Sequence, residues 1–421
     1  MRRRMDSGPQ LVIVGAGPAG LAAAHAAALQ GVQDVLVIDR DDAPGGLPRF
    51  CDHPGFGLEY VNWPYRGPAF ARRLMRDLAG TNVAVECATT LISVREGPAI
   101  EIVGPRLGNR TLRPKALVLA TGIRESNRGN LMIPGARPEQ GILTTGQLQQ
   151  LVARKVALPD HIRRLAVIGT EHVAFSALMT ARHGGFRVSH MIGAEDSIRS
   201  IAPARWMARA FGADLILGAR LREIIARNDQ VTAIRCETAE GLIDLACDGV
   251  VLTGGWIPEI AALSGSGIAV DPKTRGPVID QAMRTSLPGI FAAGNMLRPV
   301  ESSGWAAVEG YRAGHLAARF IQGRLEPRQS AACLTAGDGI DYVVPQRWDP
   351  ALATDRGVPA LKPSIRVSRD IGRARLCLSQ DAVTAWTGSP RRLRPHRRIK
   401  LDLEGIMNGR EGDWQLSVMP R

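Results

Sequence analysis

The sequence predicts an α/β fold: two Rossmann-like dinucleotide-binding units, the second inserted in the first, plus a small β-rich C-terminal domain. Three observations predict it. Two segments, LVIVGAGPAGLAAAHAAALQG at 11–31 and RLAVIGTEHVAFSALMTARHGG at 164–185, each read as a short apolar strand, a glycine turn and a helix. A late buried strand, GIFAAGN at 289–295, precedes a helix around 304–322. After residue 328 the texture changes to short alternating stretches (YVVPQRW, SIRVSRD, ARLCLSQ) separated by Pro and Arg. The expected division is 8–150 with 261–327 for the first unit, 151–260 for the second, and 328–421 for a β-rich region that docks a partner.

Composition narrows the class. A chain of 421 residues can bury two or three cores, and 45% hydrophobic residues with 46 Gly suit a soluble α/β protein with many tight turns. The net charge of +13 is carried almost wholly by Arg, since there are five Lys. No zinc finger, RNA-binding signature or interleaved aromatic patch accompanies that charge, so no nucleic-acid partner is expected. The cysteines at 51, 87, 236, 247, 333 and 377 form no C-x-x-C. A redox dithiol, a zinc site and a cysteine-ligated iron–sulfur cluster are thereby excluded, and no metal is expected. MRRRMDSGPQ has no apolar run before the first strand, and glycines interrupt the run at 11–29. Neither a signal peptide nor a transmembrane segment is read there, and the expected location is cytoplasmic, with peripheral contact at the inner face of the membrane left open.

The chemistry-bearing residues begin at the first turn. Gly15, Gly17 and Gly20 form G-x-G-x-x-G, with Pro18 and Ala19 completing it. Gly15 permits the tight turn, Gly17 lets backbone approach a pyrophosphate, and Gly20 allows close helix–strand packing at a helix end rich in amide donors. Asp39, followed by Arg40, ends the next strand 24 residues after Gly15, where an acid can accept from ribose hydroxyls. Gly45 and Gly46 lie just beyond. ALVLATG at 116–122 is a buried strand ending in Ala120, Thr121 and Gly122, a turn that can bring backbone near a nucleotide. Gly294 and Asn295 end the late strand, and a helix starts at Gly304, Trp305 and Ala306, with end amides able to face an anionic ring or phosphate. No Ser/His/Asp or paired-carboxylate constellation is present, and no catalytic side chain is assigned; that pattern is expected where a cofactor carries the chemistry.

Taken together, these motifs resemble the pyridine nucleotide–disulfide oxidoreductase superfamily over roughly residues 10–325. The resemblance implies FAD on the first turn, with the ATG turn separating the FAD and NAD(P) regions. Asn295 stands where that superfamily usually carries Asp, which removes a charge but keeps a donor and an acceptor. The missing C-x-x-C excludes a thioredoxin-reductase-type relay, so electrons would go directly to a substrate or another redox centre. Cys51, after the Gly pair in RFCDHPGF, reads as structural rather than redox-active.

The second turn departs from its own pattern. After Gly169 come Thr170, Glu171, His172, Val173 and Ala174, so Glu171 takes the position of the second glycine. It adds bulk and negative charge where a pyrophosphate would approach, unless the chain turns away. The following strand, FRVSHMIG, ends in neither an acid nor a phosphate-reading Arg pair, and His190 reads as a partly buried histidine. NAD(P) binding there is therefore doubtful. Several strings carry a narrower resemblance: GGLPRFCDHPGFG (45–57), RGPAFARRL (66–74), IPGARPEQGILTTGQLQQL (133–151), IGTEHVAFSAL (168–178) and GNMLRPVESSGWAAVEG (294–310). They are similar to the α-type subunits of heteromeric amino-acid dehydrogenases and oxidases, of the D-hydroxyproline dehydrogenase, octopine and nopaline oxidase and hydrogen cyanide synthase kind.

That resemblance implies a second flavoprotein subunit that oxidises the amine, an FMN at the subunit interface, and a small [2Fe-2S] subunit supplying the cluster this chain lacks. It also leaves FAD, NAD or ATP open for the first site. RRLRPHRR at 391–398 suits docking onto a partner or an anionic surface, or is a solvated basic loop. Two other functions stay in play: a stand-alone NAD(P)H-dependent FAD reductase of ferredoxin or dye type, and a nucleotide-binding scaffold without turnover.

Overall fold

The glycine turns and apolar strands fold as read. The computed structural model describes residues 8–200, 204–298, 300–325, 332–358, 360, 362–407 and 412–419. Its first parallel sheet has the order Ile290–Ala292, Ala116–Leu119, Leu11–Val14, Val35–Ile38, Val83–Glu86. Leu11–Val14 and Ala116–Leu119 are buried at every residue, as expected for strands covered on both faces. The second parallel sheet runs Ile142–Thr144, Gly249–Leu252, Arg164–Ile168, Arg187–Ile192, Asp214–Ile216.

The kinship between the two units extends past the strand–turn–helix segments visible in the sequence. Each carries a three-stranded antiparallel meander ahead of the strand that returns beside its first strand. These meanders are Thr90–Arg95, Ala99–Gly104, Gly108–Leu112 in the first unit and Arg220–Arg227, Gln230–Thr238, Gly241–Ala246 in the second. The expected hairpin tip at 104–110 lies where Ala99–Gly104 turns into Gly108–Leu112.

The chain crosses between units at Ile123–Arg124 and Ile257–Pro258, which pair antiparallel. This moves one expected boundary. Residues 142–150 were expected in the first unit, but Ile142–Thr144 pairs with Gly249–Leu252, and the helix Thr145–Ala153 follows directly from it. A short partly buried strand gives no signal in the sequence of which sheet will accept it. The boundary expected at 327/328 lies outside the described residues.

Small residues decide how the first unit packs. The helix Pro18–Leu29, begun by Pro18 and rich in alanine, lies against the helix Ser303–Ile321. A Cβ on Gly310 would overlap the Ala19 carbonyl, and one on Gly314 would overlap the Ala23 carbonyl. The second helix is therefore held at backbone distance from the first.

The C-terminal region has its own core around Trp348, Leu376, Leu378, Leu403 and Trp414. Two buried charge networks fix it to the first unit. Arg284 donates to Asp280 and to Asp349, each at 2.7 Å. Arg398 donates to Glu309 at 2.8 Å and Arg366 to Glu301 at 3.0 Å, while the buried Arg298 also reaches Glu309. Burial opposes the Arg298 charge, but Glu309 and Glu301 outweigh it and hold its pKa above the ordinary value. No helix among the described residues is long and apolar enough to cross a membrane.

Gly310→Ala is expected to lower unfolding free energy by about 1–3 kcal/mol, because two packed backbones have to part. Gly372→Ala, where an added methyl meets nothing within 4 Å, should stay within about 0.5 kcal/mol. Denaturant titration of both variants measures the difference.

Candidate functional site

The predicted residues of the first unit converge at the carboxyl ends of its strands, the edge where open parallel sheets bind ligands. Gly15 has φ 106°, and a Cβ there would overlap the Ala120 carbonyl, so the first turn and the ATG turn touch through backbone alone. A Cβ on Gly20 would overlap the Gly15 carbonyl. Gly45 donates its N–H to Ala16 O at 2.7 Å, which sets Gly46 beside Gly17. Gly294, at φ 77°, approaches Ala19, and Ala19, Ala120 and Ala306 form a small buried cluster joining three turns.

The polar residues are held as firmly. Asp39 accepts from the N–H of Ala16 at 2.6 Å and of Asp41 at 2.8 Å, which pins its carboxylate at the mouth of the turn. Arg40 is exposed and donates to Glu259 at 3.2 Å. Thr121 donates to the Glu259 carbonyl at 2.7 Å, and Gly122 takes φ 76° in open space. An added Cβ on Gly17 meets only the Gly46 Cα, at 3.9 Å, so the space over Gly17 is open and bordered by helix-end amides. This cradle fits an adenosine pyrophosphate.

The far end is arranged differently from the expectation. Asn295 uses both ends of its amide on one loop: Nδ2 donates to Glu301 O at 3.2 Å and Oδ1 accepts from Glu301 N at 3.0 Å. It ties Asn295 to Glu301 and commits Oδ1 and one Nδ2 hydrogen to that contact. The helix end at Gly304 and Trp305 is capped by Ser302, whose Oγ accepts from Trp305 N at 3.2 Å and donates to Glu59 Oε1 at 2.8 Å. A Cβ on Gly304 would overlap the Glu59 carboxylate. Sequence reasoning missed Glu59, which arrives from 243 residues away with no motif around it.

Cys51 is buried, its thiol lies 3.4 Å from the Leu47 carbonyl, and burial pushes its pKa up to about 12. It is a thiol at neutral pH and a poor nucleophile. All six cysteines are free.

At the second turn, the chain does not turn away. Glu171 is the N-cap of the helix His172–His183, and its Oε2 accepts from Thr170 N at 3.1 Å. A Cβ on Gly169 would lie 2.7 Å from Oε2, and one on Gly254 would lie 3.7 Å from Oε1. The carboxylate thus lies over Gly169 and Gly254, between the turn and the end of Gly249–Leu252. Burial pushes its pKa up. His190 sits partly buried, 3.8 Å from Asp214.

The chain matches the pyridine nucleotide-disulphide oxidoreductases over residues 9–318. It belongs to that family. Within the family it is 28% identical over 321 residues to a ferredoxin–NADP reductase of Ignicoccus hospitalis, covering 74% of this chain and 97% of that protein. It is 26% identical over 338 residues to a thioredoxin reductase of Listeria innocua, covering 76% and 97%. The crystal structure of the T. acidophilum thioredoxin reductase shares the fold at a TM-score of 0.62 and 22% identity, over 73% of this chain and 97% of that one. These relatives are named as reductases. They support the broader kinship and not the narrower resemblance to amino-acid dehydrogenase subunits. The family match ends at 318, so the β-rich region lies beyond it.

Two outcomes follow. Glu171 adds bulk at the second turn and, when ionised, a charge that would repel a pyrophosphate; two unit charges about 4 Å apart repel by roughly 4 kcal/mol at an effective dielectric of about 20. Glu171→Gly should therefore tighten NADP⁺ binding at least about tenfold in equilibrium dialysis. Iodoacetamide at pH 8 should leave Cys51 unlabelled in the folded protein, as peptide mass spectrometry would show.

Proposed function

We propose that this chain is an FAD-dependent oxidoreductase of the reductase class, moving electrons without a protein dithiol. The observation that carries the proposal is the cradle at Gly15–Gly20, with Asp39 pinned beside it and open space over Gly17. When bound, FAD supplies a centre that takes up electrons in pairs and releases them singly or in pairs. The chain's part is to hold the pyrophosphate on backbone amides, set Asp39 beside the ribose, and seal the site with the Ala19–Ala120–Ala306 contact.

Of the finer readings, the relatives favour the stand-alone NAD(P)H-dependent reductase of ferredoxin type over a subunit of an amino- or imino-acid dehydrogenase complex. One observation favours the second reading: the Glu171 carboxylate lies over Gly169 and Gly254 at the second glycine turn. On that reading, electrons reach the chain from a second flavoprotein subunit, with an interface FMN and a small iron–sulfur subunit as further partners.

Anaerobic addition of NADPH to the purified chain separates the two. Rapid, stoichiometric bleaching of the visible flavin band supports the stand-alone reductase. Unbleached flavin, together with a second flavoprotein copurifying in the native complex, supports the subunit. A chain that purifies colourless and takes up no FAD overturns both. Gly17→Val adds bulk only to open space and should fold normally, yet lose FAD affinity by roughly 100-fold, the equivalent of about 3 kcal/mol of overpacking.

A further inference from the structure

The arginine-rich loop of the C-terminal region is the strongest feature that the nucleotide sites leave unexplained. Arg391, Arg392, Arg394, Arg397, Arg398 and Lys400 line a single cleft of about 220 Å³. Counter-charges are few. Arg392 pairs with Asp370 at 3.2 Å, and Arg398 shares Glu309 with Arg298. The other four cations have no carboxylate partner among the described residues. Arg398 Nε and Nη1 are buried without a hydrogen-bond acceptor. Burial and the neighbouring Arg398 bring Lys400 down to about 8, and burial lowers Arg391.

Like charges gathered in a partly desolvated cleft repel, and a surface that only needed solubility would spread them out. The cleft's position is also fixed. Lys400 Nζ stands 3.4 Å from the centre of the Trp305 ring, with the Arg398 guanidinium 4.8 Å from it, at the amide-rich start of Ser303–Ile321. At its other side the loop reaches the second unit, where His396 packs edge-on against His172 with ring centres 6.2 Å apart. His172 in turn lies 2.8 Å from the Ser200 hydroxyl. The loop therefore bridges the starts of two helices, and both helix dipoles add to its positive field.

We propose that this cleft is a binding site for a phosphate-bearing small molecule, with Arg394, Arg397 and Lys400 as its principal contacts. Guanidinium forks match phosphate oxygens in pairs, and several in one concavity favour a multiply charged group over a single carboxylate. A cleft of that volume suits a diphosphate or phosphate ester rather than a protein surface. A bound phosphate would supply the charge that the four unpaired cations lack. The site lies outside the segment shared with the family, so it distinguishes this chain from its reductase relatives.

Calorimetric titration of the protein as purified with inorganic pyrophosphate, and in parallel with orthophosphate, tests this. One saturable site per chain is expected, binding pyrophosphate the more tightly. The Arg394→Ala/Arg397→Ala double variant should weaken it at least about tenfold, while Arg113→Ala removes an exposed arginine of the first unit, away from the cleft, and should leave affinity within twofold. Neither cleft arginine has a side-chain partner to lose among the described residues, and circular dichroism checks that the double variant folds. No saturable binding at low salt, or equal weakening by Arg113→Ala, overturns the proposal. So does binding of an acidic polypeptide such as polyglutamate in the absence of any pyrophosphate binding. None of these readouts depends on the flavin or on NADPH, so failure here is distinguishable from failure of the proposed function.

Discussion

Everything in the first unit depends on backbone meeting backbone. The Gly15 turn touches Ala120, Gly20 sits on the Gly15 carbonyl, and Gly310 and Gly314 sit on the carbonyls of Ala19 and Ala23. With a side chain at any of these points, the turns and helices would separate by the width of a methyl group. Packed interiors do not absorb such changes without cost. The same contacts aim the amides of Pro18–Leu29 at the open space over Gly17 and bring Asp39 against Ala16. The open cradle over Gly17 is a by-product of how closely these elements pack.

The second unit repeats the topology of the first but fills the corresponding space. Gly169 and Thr253–Gly254 stand in the relation that Gly15 and Ala120 hold in the first unit, yet the Glu171 carboxylate lies between turn and strand end. A Rossmann-like unit so altered still offers its surfaces. His53 reaches Ser176 at 2.6 Å across the unit boundary, and Gln149 reaches the same hydroxyl at 2.9 Å. Its helix start carries His172, against which the C-terminal loop packs. Fold retention and cofactor binding are separate demands on a sequence.

The sequence made most of the fold legible, because glycine turns and fully buried strands are local demands that leave local marks. Gly15, Gly17 and Gly20 each have a steric reason, and Leu11–Val14 and Ala116–Leu119 read as buried strands from four residues each. The charge conflict at Glu171 was legible for the same reason. What could not be read depends on partners distant in the chain. Ile142–Thr144 chose its sheet through Gly249–Leu252. Glu59 reached the start of Ser303–Ile321 without any surrounding pattern, and Asn295 bonds the Glu301 backbone. The arginine cleft looked like a basic run with two equal explanations until the fold placed Arg398 and Lys400 on Trp305.

The proposed function puts FAD in the cradle at Gly15–Gly20 on either finer reading. Native mass spectrometry in excess FAD counts nucleotides per chain. One FAD on each wild-type chain is the predicted result, and a folded chain that carries none contradicts it.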